Sequence, residues 1–221
     1  MPKKDNKIWL SHSGIEGMRR CPRCFWLQYK KGIRQPEGIV SRLANRFDKV
    51  IKNYFDLYRE IGELPPMVEG QIEGKLEKSF TEVYFYNHDN KYGFYGKLDD
   101  CLMTADGKYT PIDFKTSSSD PREKEVLSAY QSQLDAYAFL LEINKKKTTG
   151  IGHLIYFYPQ DGEKLHDGFP MLVFVQTLKT NPENAKKDIL EAIEVLEKDI
   201  PAPSKDCPFC GWYDKVKGEF K

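Results

Sequence analysis

The stretch GKLDDCLMTADGKYTPIDFK, residues 96–115, contains two runs typical of β-strands, at 98–104 and 109–114. The Asp106-Gly107 pair between them is a strong signal for a hairpin turn. Asp99 lies at the start of the first run. Asp113 and Lys115 lie two residues apart at the end of the second, so their side chains share one face. The stretch therefore predicts an antiparallel hairpin that brings two carboxylates and an ammonium group together.

Such a group of side chains suits a hydrolytic metal site. Two neighbouring carboxylates repel each other unless a cation lies between them, and hard oxygen ligands suit Mg²⁺ or Mn²⁺. An ammonium group beside them can hold or deprotonate a water molecule that attacks a phosphodiester. Taken alone, these residues are more typical of ordinary turn or strand-end positions with a solvated lysine, because Asp-x-Lys is a common sequence.

The composition is ordinary for a globular protein that stays in the cytoplasm. The 221 residues are 40% hydrophobic and 30% charged, and they can form one domain over 1–221 with a sizeable core. The net charge of +1 neither requires nor excludes a nucleic acid partner. We expect no membrane association, since no apolar run approaches the length of a bilayer span and the N-terminus lacks a signal-peptide segment.

Four of the five cysteines form two Cys-x-x-Cys pairs, with Cys21 and Cys24 in CPRC and Cys207 and Cys210 in CPFC. Four thiolates complete either a tetrahedral zinc site or an iron–sulfur cluster, so the pairs predict one shared site that joins the two chain ends. Two unrelated thiol pairs or a redox pair are the alternatives. The fifth, Cys101, lies in an apolar strand pattern that indicates a buried residue.

Two amphipathic helices are predicted on either side of the hairpin. Residues 40–59 carry apolar side chains at three- and four-residue spacing, with Asp48 beside the apolar stripe, where it can reach a metal site or remain solvated. Residues 124–143 form the second helix. Gln133 and Tyr137 lie one turn apart on it, a weak motif that is usually found at the surface.

Further strands and a third helix complete the predicted architecture. Strand-like runs occur at 81–86, 92–98, 151–158 and 171–177. The first two lead into the hairpin, which predicts a meander over 81–115. Asn181, Pro182 and Glu183 provide the cap and first turn of a helix whose last inward residue is Ile200.

In this order, the motifs resemble those of the PD-(D/E)xK nuclease superfamily. The motifs are CPRCFWL, the helix with Asp48, G-K-L-D with Asp99, I-D-F-K with Asp113 and Lys115, Q-L-D-A-Y with Gln133 and Tyr137, and CPFCGW. The match extends over 11–212. It is closest to the RecB-like branch, which includes the CRISPR-associated RecB-type exonucleases and the AddB-type helicase-nucleases.

This resemblance implies an α/β fold with a restriction-endonuclease-like core. Its central mixed β-sheet would be built from 92–115 with the strands at 151–158 and 171–177, and helices would flank it. The Cys pairs near the N- and C-termini would join at a metal site of structural role. RecB-type iron–sulfur nucleases usually carry one cysteine near the N-terminus and three near the C-terminus. The division here is two and two, which leaves a 4Fe–4S cluster and a Zn²⁺ ion both open.

The resemblance also implies roles for single residues. Asp99 and Asp113 would bind Mg²⁺ or Mn²⁺ with the carbonyl of Phe114, and Lys115 would position or activate the attacking water. The remaining implied roles are support of Lys115 and the DNA backbone by Gln133 and Tyr137, a further metal ligand at Asp48, and phosphate contacts, or solvent-facing charges, at Arg42 and Arg46. Asp99 rather than Asp100 occupies the family's position. We expect Asp100 to point the other way and its replacement to matter less.

The implied function is a divalent-metal-dependent DNA nuclease that acts on single strands or ends in repair, recombination or defence, with protein partners of a repair or CRISPR-type complex. Two other classes of protein stay open. One is a catalytically inactive nucleic-acid-binding or adaptor protein of nuclease fold. The other is a cysteine-metal interaction module or redox carrier in which the Asp-x-Lys match is accidental.

Overall fold

The computed structural model describes residues 7–36, 42–162, 168 and 170–219. Within them the chain forms eight strands and six α-helices. The strands are β1 (Ile8–Ser11), β2 (Lys75–Leu76), β3 (Val83–Asn87), β4 (Tyr92–Lys97), β5 (Asp100–Met103), β6 (Tyr109–Thr116), β7 (Ile151–Pro159) and β8 (Met171–Lys179). The helices are α1 (His12–Arg20), α2 (Pro22–Lys31), α3 (Arg42–Ile61), α4 (Ser128–Ile143), α5 (Pro182–Glu197) and α6 (Pro208–Val216).

The chain divides into two compact units, one formed by 1–40, 85–95 and 184–221 and the other by 41–84 and 96–183. The second unit, here the sheet unit, contains a five-stranded sheet in the order β2-β5-β6-β7-β8. Its strand pairs are antiparallel except for β6 and β7, which run parallel. Parallel neighbours need a long crossover, and α4 supplies it between β6 and β7. The predicted α/β class with a mixed sheet and flanking helices is confirmed.

The core of the sheet unit lies between α3 and the sheet. Phe55 on α3 is fully buried, and its ring centroid lies 4.6 Å from that of Phe114 on β6. The other buried members of this cluster come from α3, the following loop and the strands, namely Ile51, Val68, Ile72, Leu76, Leu102, Ile112, Ile155 and Phe157. The apolar stripe predicted for 40–59 therefore packs against the sheet, as its spacing indicated.

Helix α4 differs from α3 because it is buried on every side over much of its length. All residues from Leu134 to Leu141 are buried, including Asp135, whose Oδ1 accepts hydrogen bonds from Gln131 Nε2 at 2.9 Å and from Asn181 N at 2.8 Å. A helix without a solvated face in its centre is anchored by packing, which fixes the side chains that it carries.

The predicted hairpin is formed by β5 and β6, with Asp100 opposite Ile112 and Met103 opposite Tyr109. In its turn Gly107 has φ 75° and donates its N–H to Thr104 O at 3.0 Å. Strand β5 begins at Asp100, one residue after Asp99, which lies in the bend between β4 and β5. Asp99 therefore lies outside the strand pairing of β5 with β6.

The predicted meander over 81–115 is wrong. Strands β3 and β4 belong to a separate three-stranded sheet in the order β1-β4-β3, so the central sheet begins at Asp100 and not at Tyr92. Strand β4 pairs in parallel with β1, with Ile8 opposite Tyr92 and Ser11 opposite Tyr95. The pairing of β4 with β1, more than eighty positions earlier, leaves no signal in the sequence near β4. The segment between β4 and β5 is short, so the sequence pattern there resembles one continuous series of hairpins.

The other unit, here the terminal unit, contains β1, α1, α2, α6 and the body of α5. Helix α1 is capped at its N-terminus by Ser11, whose Oγ accepts the N–H of Gly14 at 3.3 Å. Helix α5 buries Ala185, Ile189, Ala192 and Leu196 and ends at Glu197. Ile200 lies beyond that end and is 48% exposed, so its predicted inward position is wrong, because the helical period no longer applies there.

None of the helices in the described part of the chain is long and apolar enough to cross a lipid bilayer.

Candidate active site

Strand β6 presents Asp113 and Lys115 on one face of the sheet. Asp113 is fully buried, and its Oδ2 forms an ion pair with the ammonium group of Lys115, which is 16% exposed. The same ammonium group donates to Gln133 Oε1 at 3.0 Å and lies 4.6 Å from the ring centroid of Tyr130. Both partners belong to α4. The lysine is therefore held by one strand neighbour and one helix, and only part of it reaches solvent.

Gln133 and Tyr137 extend this contact into a chain of hydrogen bonds. The Gln133 amide nitrogen donates to the Tyr137 hydroxyl at 2.7 Å. That hydroxyl lies 3.1 Å from Lys97 O and 3.4 Å from Asp113 Oδ1, and it can donate its one hydrogen to either. The chain leads from Lys115 through the helix and back to Asp113. Gln133 and Tyr137, which form only a weak motif in the sequence, thus lie beside Asp113 and Lys115, with Tyr137 buried and Gln133 half-buried.

Asp99 is held beside this strand from the neighbouring bend. Its Oδ2 accepts the backbone N–H of Phe114 at 3.1 Å. Gly96, at the end of β4, lies so close to α4 that an added Cβ would meet Leu140 Cδ1 at 2.5 Å. A larger residue there would force the Leu140 side chain or the β4 backbone to move. In the G-K-L-D motif, the glycine allows close packing of β4 against α4, and the aspartate binds the backbone of β6.

Asp48 reaches the same site through a residue that sequence reasoning missed. Lys52, one turn after Asp48 on α3, lies with its Nζ 3.0 Å from Asp48 Oδ1 and 2.7 Å from Asp99 Oδ1. The four-residue spacing from Asp48 is the signal that could have found it, although that spacing is common in solvated ion pairs. Arg46 is exposed on α3, and the side chain of Arg42 lies outside the described residues.

Burial dominates the electrostatics of the site. It raises the pKa of Asp113 to about 7, with a further contribution from the Asp99 charge and opposition from Lys115. Burial and the two carboxylates also raise the pKa of Tyr137 well above its usual value. Tyr137 therefore stays a neutral hydroxyl that donates a hydrogen bond, while a bound divalent cation would favour the ionised form of Asp113.

The acidic pair fits a hard divalent cation. Asp113 Oδ2 is buried and, although it contacts the Lys115 ammonium, none of the described residues directs an aligned hydrogen bond at it. The Lys115 ammonium compensates this buried charge in part, and a divalent cation would compensate it further. Carboxylate oxygens at Asp99 and Asp113 are the ligands that Mg²⁺ and Mn²⁺ prefer. The donor set and the underused oxygen together suit such an ion.

Asp100 does not take part in this arrangement, but it is not a minor residue. It is 1% exposed, its Oδ2 accepts from Arg59 Nη2 at 2.8 Å, and its Oδ1 accepts from Cys101 N at 2.7 Å. Burial raises the pKa of Asp100 while Arg59 lowers it. Its contact with Arg59 gives Asp100 a role in stability that the sequence did not indicate, because loss of Asp100 would remove the buried partner of that arginine.

The four cysteines of the two Cys-x-x-Cys pairs come together in the terminal unit and are called the cysteine cluster below. They are Cys21, Cys24, Cys207 and Cys210, and none of them forms a disulfide. Their sulfur atoms all lie within 4.8 Å of one another. The predicted meeting of the two chain ends at one thiol site is confirmed. The fifth cysteine, Cys101, is fully buried in β5.

The family model of the PD-(D/E)XK nuclease superfamily matches residues 43–214. The solved structure titled "Crystal structure of SSO0001" is similar at 18% identity and a TM-score of 0.44, covering 88% of this chain and 79% of that one. No curated protein matches. Because the family model spans well over half of the sequence, this chain belongs to the PD-(D/E)XK nuclease superfamily.

Proposed function

We propose that this chain is a divalent-metal-dependent nuclease that hydrolyses phosphodiester bonds in DNA. The observation that carries the proposal is the connected set of side chains Asp113, Lys115, Gln133 and Tyr137, with Asp99 bound to the amide that follows Asp113. The buried Asp113 Oδ2 contacts the Lys115 ammonium without an aligned hydrogen bond, so it can also bind a cation. Membership of the superfamily supports the same activity.

Asp99 and Asp113 would hold the Mg²⁺ or Mn²⁺ ion, since they are the two carboxylates that the fold brings together from the bend and from β6. When bound, the ion would stabilise negative charge on the phosphate and favour deprotonation of the attacking water. Lys115, fixed between Asp113 and Gln133, would orient that water and take part in moving its proton. The partial exposure of Lys115 gives a substrate access to it.

Gln133 and Tyr137 would act by positioning. Gln133 holds the Lys115 ammonium, and Tyr137 ties Gln133 to Asp113 and to the end of β4. A buried network of this kind keeps the Lys115 side chain in one rotamer before substrate binds, so that substrate binding does not have to order it. Both residues lie on the buried helix α4, whose packing supplies the rigid support.

Asp48 would serve as an additional ligand or as a partner of Lys52 at the edge of the site. Its side chain is 48% exposed and contacts Lys52, which in turn contacts Asp99. Arg46, exposed on the same helix, would contact phosphates. These residues extend the site along α3 with charges of both signs.

We further propose a place in the RecB-like branch, with single strands or DNA ends as substrate in repair, recombination or defence. The order of motifs and the cysteines at both chain ends support the branch. No base-reading motif is apparent in the sequence, which favours recognition of the backbone and of unpaired strands over a defined duplex sequence. The two Cys-x-x-Cys pairs suit a reducing, cytoplasmic compartment, where such pairs hold metal more often than disulfides.

The proposal is tested with end-labelled single-stranded and duplex oligonucleotides in the presence of Mg²⁺ or Mn²⁺. Wild type is compared with Asp113→Asn and Lys115→Ala. The same hairpin provides a matched control, because Asp106 and Lys108 form a second Asp-x-Lys sequence in its exposed turn. We expect cleavage by wild type and by Asp106→Asn and Lys108→Ala, and loss of at least about a hundredfold in the β6 variants.

Two results would contradict the proposal. Absence of cleavage by wild type with retained oligonucleotide binding would favour the inactive adaptor protein. Equal cleavage by wild type and both β6 variants would assign the activity to a contaminant. Thermal unfolding of each variant separates a chemical defect from a folding defect.

A further inference from the structure

We propose that the cysteine cluster holds one tetrahedrally bound zinc ion and not a four-iron cubane. This inference concerns the terminal unit and does not depend on the nuclease activity. It rests on how far apart the sulfur atoms lie, on the elements that present them and on the chemistry of thiolate ligands.

The sulfur separations are those of ligands around a single small ion. Cys24 Sγ lies 3.5 Å from Cys210 Sγ and 3.7 Å from Cys207 Sγ, and Cys21 Sγ lies 3.9 Å from Cys210 Sγ. No pair in the cluster exceeds 4.8 Å. Zinc–sulfur bonds of about 2.3 Å place the corners of a regular tetrahedron about 3.8 Å apart. The cluster therefore already has the dimensions of a single-ion site.

A cubane cluster needs a wider arrangement of the same four residues. Each of its thiolates binds a different iron atom, and the irons themselves stand away from the centre of the cluster with sulfide ions between them. The four cysteine sulfurs must then lie much farther apart than on one ion. Here three sulfur pairs are close to contact distance, so that irons and sulfides have no room among them.

The two halves of the site are built alike. Cys21 precedes the first turn of α2, with Pro22 at its first position, and Cys207 precedes α6, with Pro208 at the same place. Cys24 and Cys210 lie within those first turns. Helix N-termini stabilise negative charge and so help to hold the thiolates that a bound cation requires. Each helix thus supplies two ligands, as expected for a tetrahedral site shared evenly between two Cys-Pro-x-Cys motifs.

The environment of the cluster suits a structural ion. Cys21, Cys207 and Cys210 are buried, and Cys24 is half-buried beside them. Soft thiolates select zinc over Mg²⁺ and Mn²⁺, which the carboxylates of the sheet unit prefer. Binding would replace four S–H protons with one Zn²⁺, so the thiols release their protons to solvent without any change in oxidation state.

The test uses the full-length chain, produced in medium that contains both iron and zinc and purified without oxygen. Elemental analysis and sulfide determination are combined with visible absorption and with X-ray absorption at the zinc edge. We expect one zinc per chain, four sulfur neighbours at about 2.3 Å and a colourless protein. Replacement by Co²⁺ should give the intense visible bands of a tetrahedral thiolate site.

Two variants define which residues carry the metal. Cys24→Ser should lower the zinc content or weaken its retention against a chelator, and Cys101→Ala, which changes the cysteine outside the cluster, should leave one zinc per chain. A brown protein with about four irons and equal sulfide would overturn the proposal. Recovery of a single iron, or of metal-free protein with disulfides among the four cysteines, would overturn it as well. If Cys24→Ser does not fold, the measurements on wild type and Cys101→Ala decide alone.

Discussion

The ammonium group of Lys52 lies 2.7 Å from Asp99 Oδ1 and links that carboxylate to Asp48 on the same helix as the lysine. A lysine is thus the cation that neutralises one of the two proposed metal ligands. Its pKa is raised by Asp99 and Asp48 in opposition to burial, so it is charged at neutral pH. A divalent ion that binds Asp99 would have to share or displace this contact.

We therefore predict that Lys52→Met strengthens binding of the divalent ion. Without the lysine, Asp48 and Asp99 keep their repulsion, and a metal ion relieves it. The Mn²⁺ concentration for half-maximal binding, measured by calorimetry, should fall by about threefold to tenfold. Lys49→Met, an exposed change on the same helix, should leave it unaltered. An unchanged or weaker affinity in Lys52→Met would show that the lysine does not compete with the ion.

Gln133→Leu should slow cleavage without weakening DNA binding. The substitution removes the acceptor of the Lys115 ammonium and the donor to Tyr137, so the lysine samples other rotamers. Residues that orient a functional group in this way typically contribute tenfold to a hundredfold. We expect kcat to fall by about that amount with KM nearly unchanged.

The double variant Lys115→Ala/Gln133→Leu provides the check on this interpretation. If Gln133 acts through Lys115, the second change adds little to the loss caused by Lys115→Ala. Multiplied losses in the double variant would instead show that Gln133 contributes independently, for example through the DNA backbone.

Asp100→Ala should destabilise the protein strongly. It leaves the Arg59 guanidinium, whose side chain is 12% exposed, without its buried partner, and loss of one member of a buried pair costs about 3 to 5 kcal/mol. Asp56 is the matched control, since it contacts the same arginine but is 60% exposed. Asp56→Ala should cost less than about 1 kcal/mol. Urea denaturation measures the free energy of unfolding of both variants. Equal losses in the two variants would contradict a special role for the buried Asp100.

His153 should make the protein less stable in mild acid. It is 4% exposed, its Nδ1 lies 2.9 Å from Thr177 Oγ1, and burial lowers the pKa of His153 to about 4. Between pH about 6.5 and 4 the unfolded chain binds a proton here that the folded chain does not. Its contribution is therefore present above pH about 6.5 and falls by up to about 3 kcal/mol as the pH drops to 4.

Asp113 works in the opposite direction over part of this range, because its raised pKa lets the folded chain bind a proton first. The measurement is therefore the difference in unfolding free energy between wild type and His153→Gln as a function of pH. The advantage of wild type should shrink as the pH falls from about 6.5 to 4. A difference that does not vary with pH would contradict the buried, neutral histidine.

Much of the local structure could be predicted from the sequence. The Asp106-Gly107 turn and the alternating pattern around it determined the β5–β6 hairpin, because a two-residue period and a turn residue with positive φ act over a few neighbours. The signals for three helices were likewise local, namely the apolar periodicity of α3 and α4 and the proline in the first turn of α5. The pairing of the two Cys-x-x-Cys motifs was predictable for a different reason, since four thiolates suffice for one site.

Only the tertiary structure decided which elements meet. Asp99 belongs to the site because β5 begins only at Asp100. Asp99 therefore lies in the bend before β5, where its carboxylate accepts the N–H of Phe114. Lys52 entered the site because α3 packs across the sheet, and Asp100 turned to Arg59 for the same reason. The parallel pairing of β1 with β4 removed β4 from the central sheet. These relationships depend on packing between residues far apart in the chain. They could not be predicted from the sequence, because hydrophobic periodicity depends only on residues that are near one another in the chain.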